Sequence, residues 1–299
     1  MMWFLAIILA YLFFALASLG DKIVLAGKAQ PKSYTFFVGF FNILAIFIIP
    51  FVAFSVPSGT VWIWIILSAL FYILGIYAMF NALEIFDVSK IIPTTGAIQP
   101  IFIVILSIIF LGGQSLSHNE IIAFAILLLG SVLISIEKNY KITKKSLELS
   151  LLTALFFSLQ MVFSKIVYSE LPFWDGFIWM KIFSFAFCLF FIFDKGFRKE
   201  AFNVENKMDK RTSIIFIITQ ILGGLANIFE SLAVSLVPLV YLGIMNAMKG
   251  MQYVFIFIFV ILISLFIPKL LKEEISRKII IQRIIAIILI IIGLLVIFL

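Results

Sequence analysis

Apolar runs of about twenty residues, separated by short polar connections, fill the chain from end to end. A helix rises about 1.5 Å per residue, so roughly 20 apolar residues cross the hydrocarbon core of a bilayer. Runs of that kind lie at Trp3–Leu25, Tyr34–Phe54, Val61–Asn81, Val88–Leu111 and Glu120–Ile136 in the first half. The second half supplies Leu147–Tyr168, Phe173–Phe193, Thr212–Val234, Leu239–Ile267 and Arg277–Leu299. The runs are continuous instead of alternating with period two, which argues against a membrane β-barrel. The pattern therefore predicts an all-α integral membrane protein with ten transmembrane helices. Ser117-His118-Asn119-Glu120 reads as a capping box opening the fifth helix. Pro238 suits the first turn of the ninth, and Pro268 closes it.

Composition settles the class. Of 299 residues, 64% are hydrophobic and only 12% charged, about half the charged share of a soluble domain. A soluble fold of this length has too little interior to hide that much Ile, Leu and Phe. The net charge of +7 resides in the connections, where it bears on membrane orientation and lipid headgroups and gives no reason to expect a nucleic-acid partner. Odd-numbered connections carry Lys28, Lys32, Lys90, Lys138, Lys195, Arg198 and Lys269, among others. Even-numbered ones, around Ser55–Thr60, Gly112–Asn119, Ser169–Pro172 and Ser235–Val237, carry no Lys or Arg. The positive-inside rule then puts the odd connections in the cytoplasm and both termini outside, in a multi-pass protein of the plasma (inner) membrane.

The segment Leu12–Val24 recurs as Leu155–Val167 with an offset of 143 residues; seven of thirteen positions match, including the terminal Lys-Ile-Val. Five helices per copy is an odd number, so the second copy enters the membrane inverted. Inverted repeats place a substrate site between the halves of secondary transporters. The expected units are residues 1–139 and 145–299, with the basic linker Glu137–Glu148 as the seam.

Two five-helix copies of about 140 residues resemble the drug/metabolite transporter superfamily and its EamA-like branch. The resemblance is carried by the first helix of each half, ending in Lys22 and Lys165, and by the fourth–fifth hairpin. That hairpin reads Gln99-Pro100-Ile101-Phe102, Phe110-Leu111-Gly112-Gly113 and Gly130-Ser131-Val132-Leu133. The second copy runs through Lys272-Glu273-Glu274 to Gly293-Leu294-Leu295. Gly113-Gln114 departs from the family's turn glutamate, and the charge pattern departs from its usual cytoplasmic termini. The resemblance implies a secondary carrier of small metabolites, often an exporter, that alternates access around a central cavity.

Ionisable groups inside apolar runs sharpen this expectation, because each costs about 2.5–3.5 kcal/mol at a helix centre on insertion scales. Lys165, Glu230, Lys181 and Lys249 are such groups, all in the second half. Lys181 and Lys249 are expected to bind an anionic or zwitterionic metabolite. Glu230 would neutralise a lysine in the empty state or carry a coupling proton. The competing structural reading pairs Glu230 with Lys165 or Lys249. Asn227, Asn246, Gln99 and Gln160 are further candidate ligands, although intramembrane amides also bind helices together. Pro93 and Pro100 in the fourth helix are candidate hinges or static kinks.

Other classes find less support. An integral-membrane enzyme needs an acid–base or metal cluster. One His, one Cys and the absence of H-E-x-x-H and G-x-S-x-G leave no candidate catalytic, metal or cofactor site. A channel or structural subunit is the remaining alternative, and the chain is expected to work as a monomer or a homodimer.

Overall fold

The computed structural model describes residues 2–25, 31–86, 88–112, 116–135, 143–193, 210–266 and 277–297. These are almost wholly helical, with no strand among them. The first half contains α1 (Met2–Leu25), α2 (Pro31–Phe40), α3 (Val61–Ile85), α4 (Val88–Leu111) and α5 (His118–Ser135). The second contains α6 (Lys144–Glu170), α7 (Phe173–Leu189), α8 (Lys210–Leu236), α9 (Leu242–Ala247), α10 (Gly250–Phe266) and α11 (Arg277–Ile297). Among the described residues nine helical segments are long and apolar enough to cross a membrane, with Leu239–Leu262 counted as one.

The second run takes a form the hydropathy pattern did not predict. α2 continues as a 3₁₀ helix over Phe41–Phe51. Ten α-helical and eleven 3₁₀ residues rise roughly 37 Å together, at about 1.5 and 2.0 Å per residue, enough to cross the core. α6 begins at Lys144, earlier than the expected Leu147, because Thr143 and Ser146 form a reciprocal capping box. At α5 the expected box is present: the Ser117 N–H donates to Glu120 Oε2 at 2.7 Å, and the Glu120 N–H donates to Ser117 Oγ at 3.4 Å. α4 runs without interruption through Pro93 and Pro100. Pro268 and the Lys272-Glu273-Glu274 stretch lie outside the described residues.

The main packing joins one half to the other. α1 lies along α8, α3 along α6, α4 along α6, and α5 along α11. On the α1–α8 contact the rings of Phe13 and Phe229 stack with centroids 5.7 Å apart. At the α5–α11 contact the backbones come close because glycines face them. A Cβ on Gly130 would sit 3.1 Å from Ile290 N and 3.2 Å from Ala286 O, and one on Gly293 would sit 3.2 Å from Leu127 N. Small residues let helices approach in lipid, where packing replaces the hydrophobic effect as the associating force. Gly130→Val should therefore lower the melting temperature of purified protein by several degrees, the usual consequence of overpacking a tight contact by about 1–3 kcal/mol. An unchanged melting temperature would show that the seam is looser than described.

Candidate functional site

The polar residues of four helices converge on one cavity. α3 contributes Ser68 and Tyr72; α6 contributes Gln160, Met161, Ser164 and Tyr168. α7 contributes Phe177, Met180, Lys181 and Ser184, and α8 contributes Asn227, Glu230, Ser231 and Val234. Its free space is about 50 Å³, room for a few waters and too small for a metabolite. These side chains meet because they recur along single helix faces. Gln160, Ser164 and Tyr168 are spaced by four, as are Ser68 and Tyr72, so each set forms one stripe.

Lys181 is half-buried, eight residues into α7 and thus about 12 Å from its start. Its ammonium donates to Asn227 Oδ1 at 3.3 Å and stands 4.8 Å from the Tyr72 ring centroid and 5.5 Å from that of Phe177. Such cation–π contacts stabilise a desolvated ammonium. Asn227 is fixed in turn by donating its Nδ2 to Gly223 O at 3.0 Å. Glu230, one turn further along α8, lies in electrostatic reach of both Lys249 and Lys181. Two basic side chains thus neighbour one carboxyl group.

The α3–α6 wall is a chain of hydroxyl and amide contacts. The Ser68 and Ser164 hydroxyls lie 2.8 Å apart. Gln160 Nε2 donates to Ser164 Oγ at 2.9 Å, and Ser164 Oγ donates to Gln160 O at 2.8 Å. Tyr168 presents a buried hydroxyl beside Ser231 to the same space.

Of the seven residues expected from sequence, Lys181, Glu230, Asn227 and Gln160 line this cavity together. Lys249 does not line it, and approaches Glu230 from the turn between α9 and α10. Asn246 is 1% exposed and donates to Met161 Sδ at 3.8 Å, behind the cavity wall. Gln99 is 4% exposed, and its backbone carbonyl accepts the Ser158 hydroxyl at 3.1 Å. The side-chain oxygens of Gln99 and Asn246 have no partner. Ser68, Tyr72, Ser164, Tyr168, Ser184 and Ser231 were not anticipated. Their recurrence on single helix faces, on α6, α7 and α8 beside an intramembrane charge, was the available signal.

Of the two partners in the competing structural reading, Lys165 does not pair with Glu230. Lys165 is 6% exposed and its ammonium donates to Ser235 O at 2.9 Å and Val237 O at 2.7 Å. It closes the C-terminal end of α8, where unpaired carbonyls and the helix dipole favour a cation.

The connection at residues 52–60 folds over the first turns of α7. Asp175, 2% exposed, accepts from the Ser55 N–H at 3.3 Å and from Ser55 Oγ at 2.5 Å. Trp179 Nε1 donates to Ser55 O at 3.0 Å, and the Trp62 and Trp179 rings meet edge to face at 4.9 Å. This plug covers the end of the bundle whose connections lack basic residues.

The apolar helices define a polytopic membrane protein that encloses a small polar cavity. Residues 1–136 match the model of the EamA-like transporter family, so the first half of the chain is similar to that family. Members of that family are transporters and not enzymes. A crystal structure of another protein is similar with a TM-score of 0.66 and 19% identity, covering 99% of this chain and 95% of that one. It shows a shared fold. No curated protein shows significant sequence similarity to the chain.

The two lysines on α6 and α7 should respond differently to neutralisation. Lys165→Met strands two carbonyls and should lower the melting temperature by several degrees, since an unmade buried hydrogen bond costs about 1–3 kcal/mol. Lys181→Met removes a weakly bonded charge and should leave stability unchanged or raised. Equal losses in both variants would contradict these roles.

Proposed function

We propose that this chain is a secondary-active carrier that moves a small anionic or zwitterionic metabolite, in the direction of export, by alternating access. The observation that carries this reading is the Lys181–Glu230 pair of opposite charges in a polar cavity between α3, α6, α7 and α8. Charges are kept in membrane interiors at a cost, and structural work does not account for these two, because Lys181 bonds only an amide at 3.3 Å. Two basic groups against one acidic group suit an anionic substrate group, and Glu230 suits an ammonium group or a coupling proton. Lys249 stands beside Glu230 as a second cation for the substrate or its counterpart in the empty state. Asn227 and Gln160 supply hydrogen bonds from the lining, and Asn246 and Gln99 become available when Met161 and α6 shift.

The two units, residues 1–139 and 145–299, act as inverted repeats in this scheme. A two-fold operation exchanging helix i with helix i+5 converts the α1–α8 contact into the α6–α3 contact, and both pairs are extensive. The plug at Ser55, Asp175 and Trp179 closes one end, matching a conformation that is shut at the uncharged connections. With those connections outside, both termini face outward in the plasma (inner) membrane, and the carrier works as a monomer or homodimer.

Thermal stabilisation of the detergent-purified protein tests this assignment. The panel comprises amino acids, nucleotide sugars, phosphorylated sugars and organic cations. One anionic or zwitterionic class should raise the melting temperature by several degrees at concentrations about 100-fold above its Kd, equivalent to roughly 2.7 kcal/mol. Lys249→Ala should abolish that shift and transport of the same compound while leaving membrane insertion intact. Stabilisation by organic cations alone, or wild-type transport by Lys249→Ala, would overturn the assigned site.

A further inference from the structure

The ninth span is not one helix. In an unbroken α-helix the Gly250 N–H would bond Asn246 O, and the Met251 N–H would bond Ala247 O. Here the Lys249 N–H bonds Asn246 O at 3.0 Å, Met251 bonds Met248 O at 2.9 Å, and Gln252 bonds Lys249 O at 3.0 Å. This overwound stretch leaves Ala247 O and the Gly250 N–H without helical partners. The Ser131 hydroxyl, reaching in from α5, serves both: it donates to Ala247 O at 2.6 Å and accepts from Gly250 N at 3.0 Å.

We propose that Ser131 is a positioning residue, whose hydroxyl wedges the ninth span open and thereby turns Lys249 toward Glu230. The inference rests on the carrier reading for its functional meaning, though its geometry stands apart from it. Three residues per turn advance about 120° per residue against about 100° in an α-helix. Each overwound residue therefore rotates the following side chains by about 20°. Lys249 sits in the middle of that stretch, so its direction depends on the break. Gly250 makes the wedge possible, since a Cβ there would run into Ser131 Oγ and fall 2.9 Å from Ser131 Cα. One turn on, Gln252 Nε2 donates to Ser18 Oγ at 3.1 Å, tying the rotated segment to α1.

A thermal-stability mutant cycle reads this positioning without any substrate. Lys249→Ala and Glu230→Gln, singly and together, should depart from additivity by about 2–4 °C in the wild-type background. In Ser131→Ala the two should become additive, while Ser131→Thr, which keeps the hydroxyl, should restore the coupling. Hydrogen exchange should accelerate at Gly250 in Ser131→Ala and not in Ser131→Thr. Should Ser131→Ala be poorly recovered, Ser131→Cys, a weak donor and acceptor, takes its place with the same expectations. Coupling that persists without the hydroxyl, or that is absent in the wild type, would overturn the proposal. Transport that survives Lys249→Ala would defeat the carrier site alone and leave the cycle intact.

Discussion

A backbone amide or carbonyl freed from its helix inside a bilayer has no water to turn to. Each such group must find a protein partner or cost several kcal/mol. That constraint explains why most spans here are unbroken, and it makes the interruption between Ala247 and Gly250 informative. The interruption exists because one serine on α5 supplies a donor and an acceptor at once, and because Gly250 lets it approach. The same constraint explains Lys165, which meets two carbonyls at the end of α8. It also explains the 3₁₀ continuation of α2, which lengthens a short helix while keeping its backbone bonded.

Charge follows a different logic. Lys165 and Asp175 are each buried against dedicated partners, a pair of carbonyls and Ser55, and their work is structural. Lys181 and Glu230 line open space with their hydrogen-bonding capacity largely unspent. Natural proteins keep such unsatisfied polar groups where function requires them, at the expense of stability. The contrast between satisfied and unsatisfied charges, more than the mere presence of charge in a span, separates the scaffold from the proposed site.

The fold was largely legible in the sequence. Run lengths predicted the nine spans found among the described residues, and Val88–Leu111 coincides with α4 at both ends. Boundaries moved where a local cap decided them, as Thr143 did for α6. The break in the ninth span was not legible, because hydropathy over Leu239–Ile267 is continuous and the partner of Gly250 lies 119 residues away. For the cavity, buried charges pointed to Lys181 and Glu230, which line it, but the same rule offered Lys165 as an alternative partner of Glu230. Only tertiary geometry shows that Lys165 meets the carbonyls of Ser235 and Val237. The serine and tyrosine lining was missed because single hydroxyls in apolar helices are common. Their recurrence on single helix faces gains meaning only when four helices bring them together.

The central claim is that this cavity opens alternately to the two sides of the membrane. Reaction of Ser231→Cys with a membrane-impermeant thiol reagent, in a Cys188→Ala background, tests it most directly. Labelling in right-side-out and in inverted vesicles, from both faces, is the predicted result. Labelling from one face only would identify a static pocket and contradict the account.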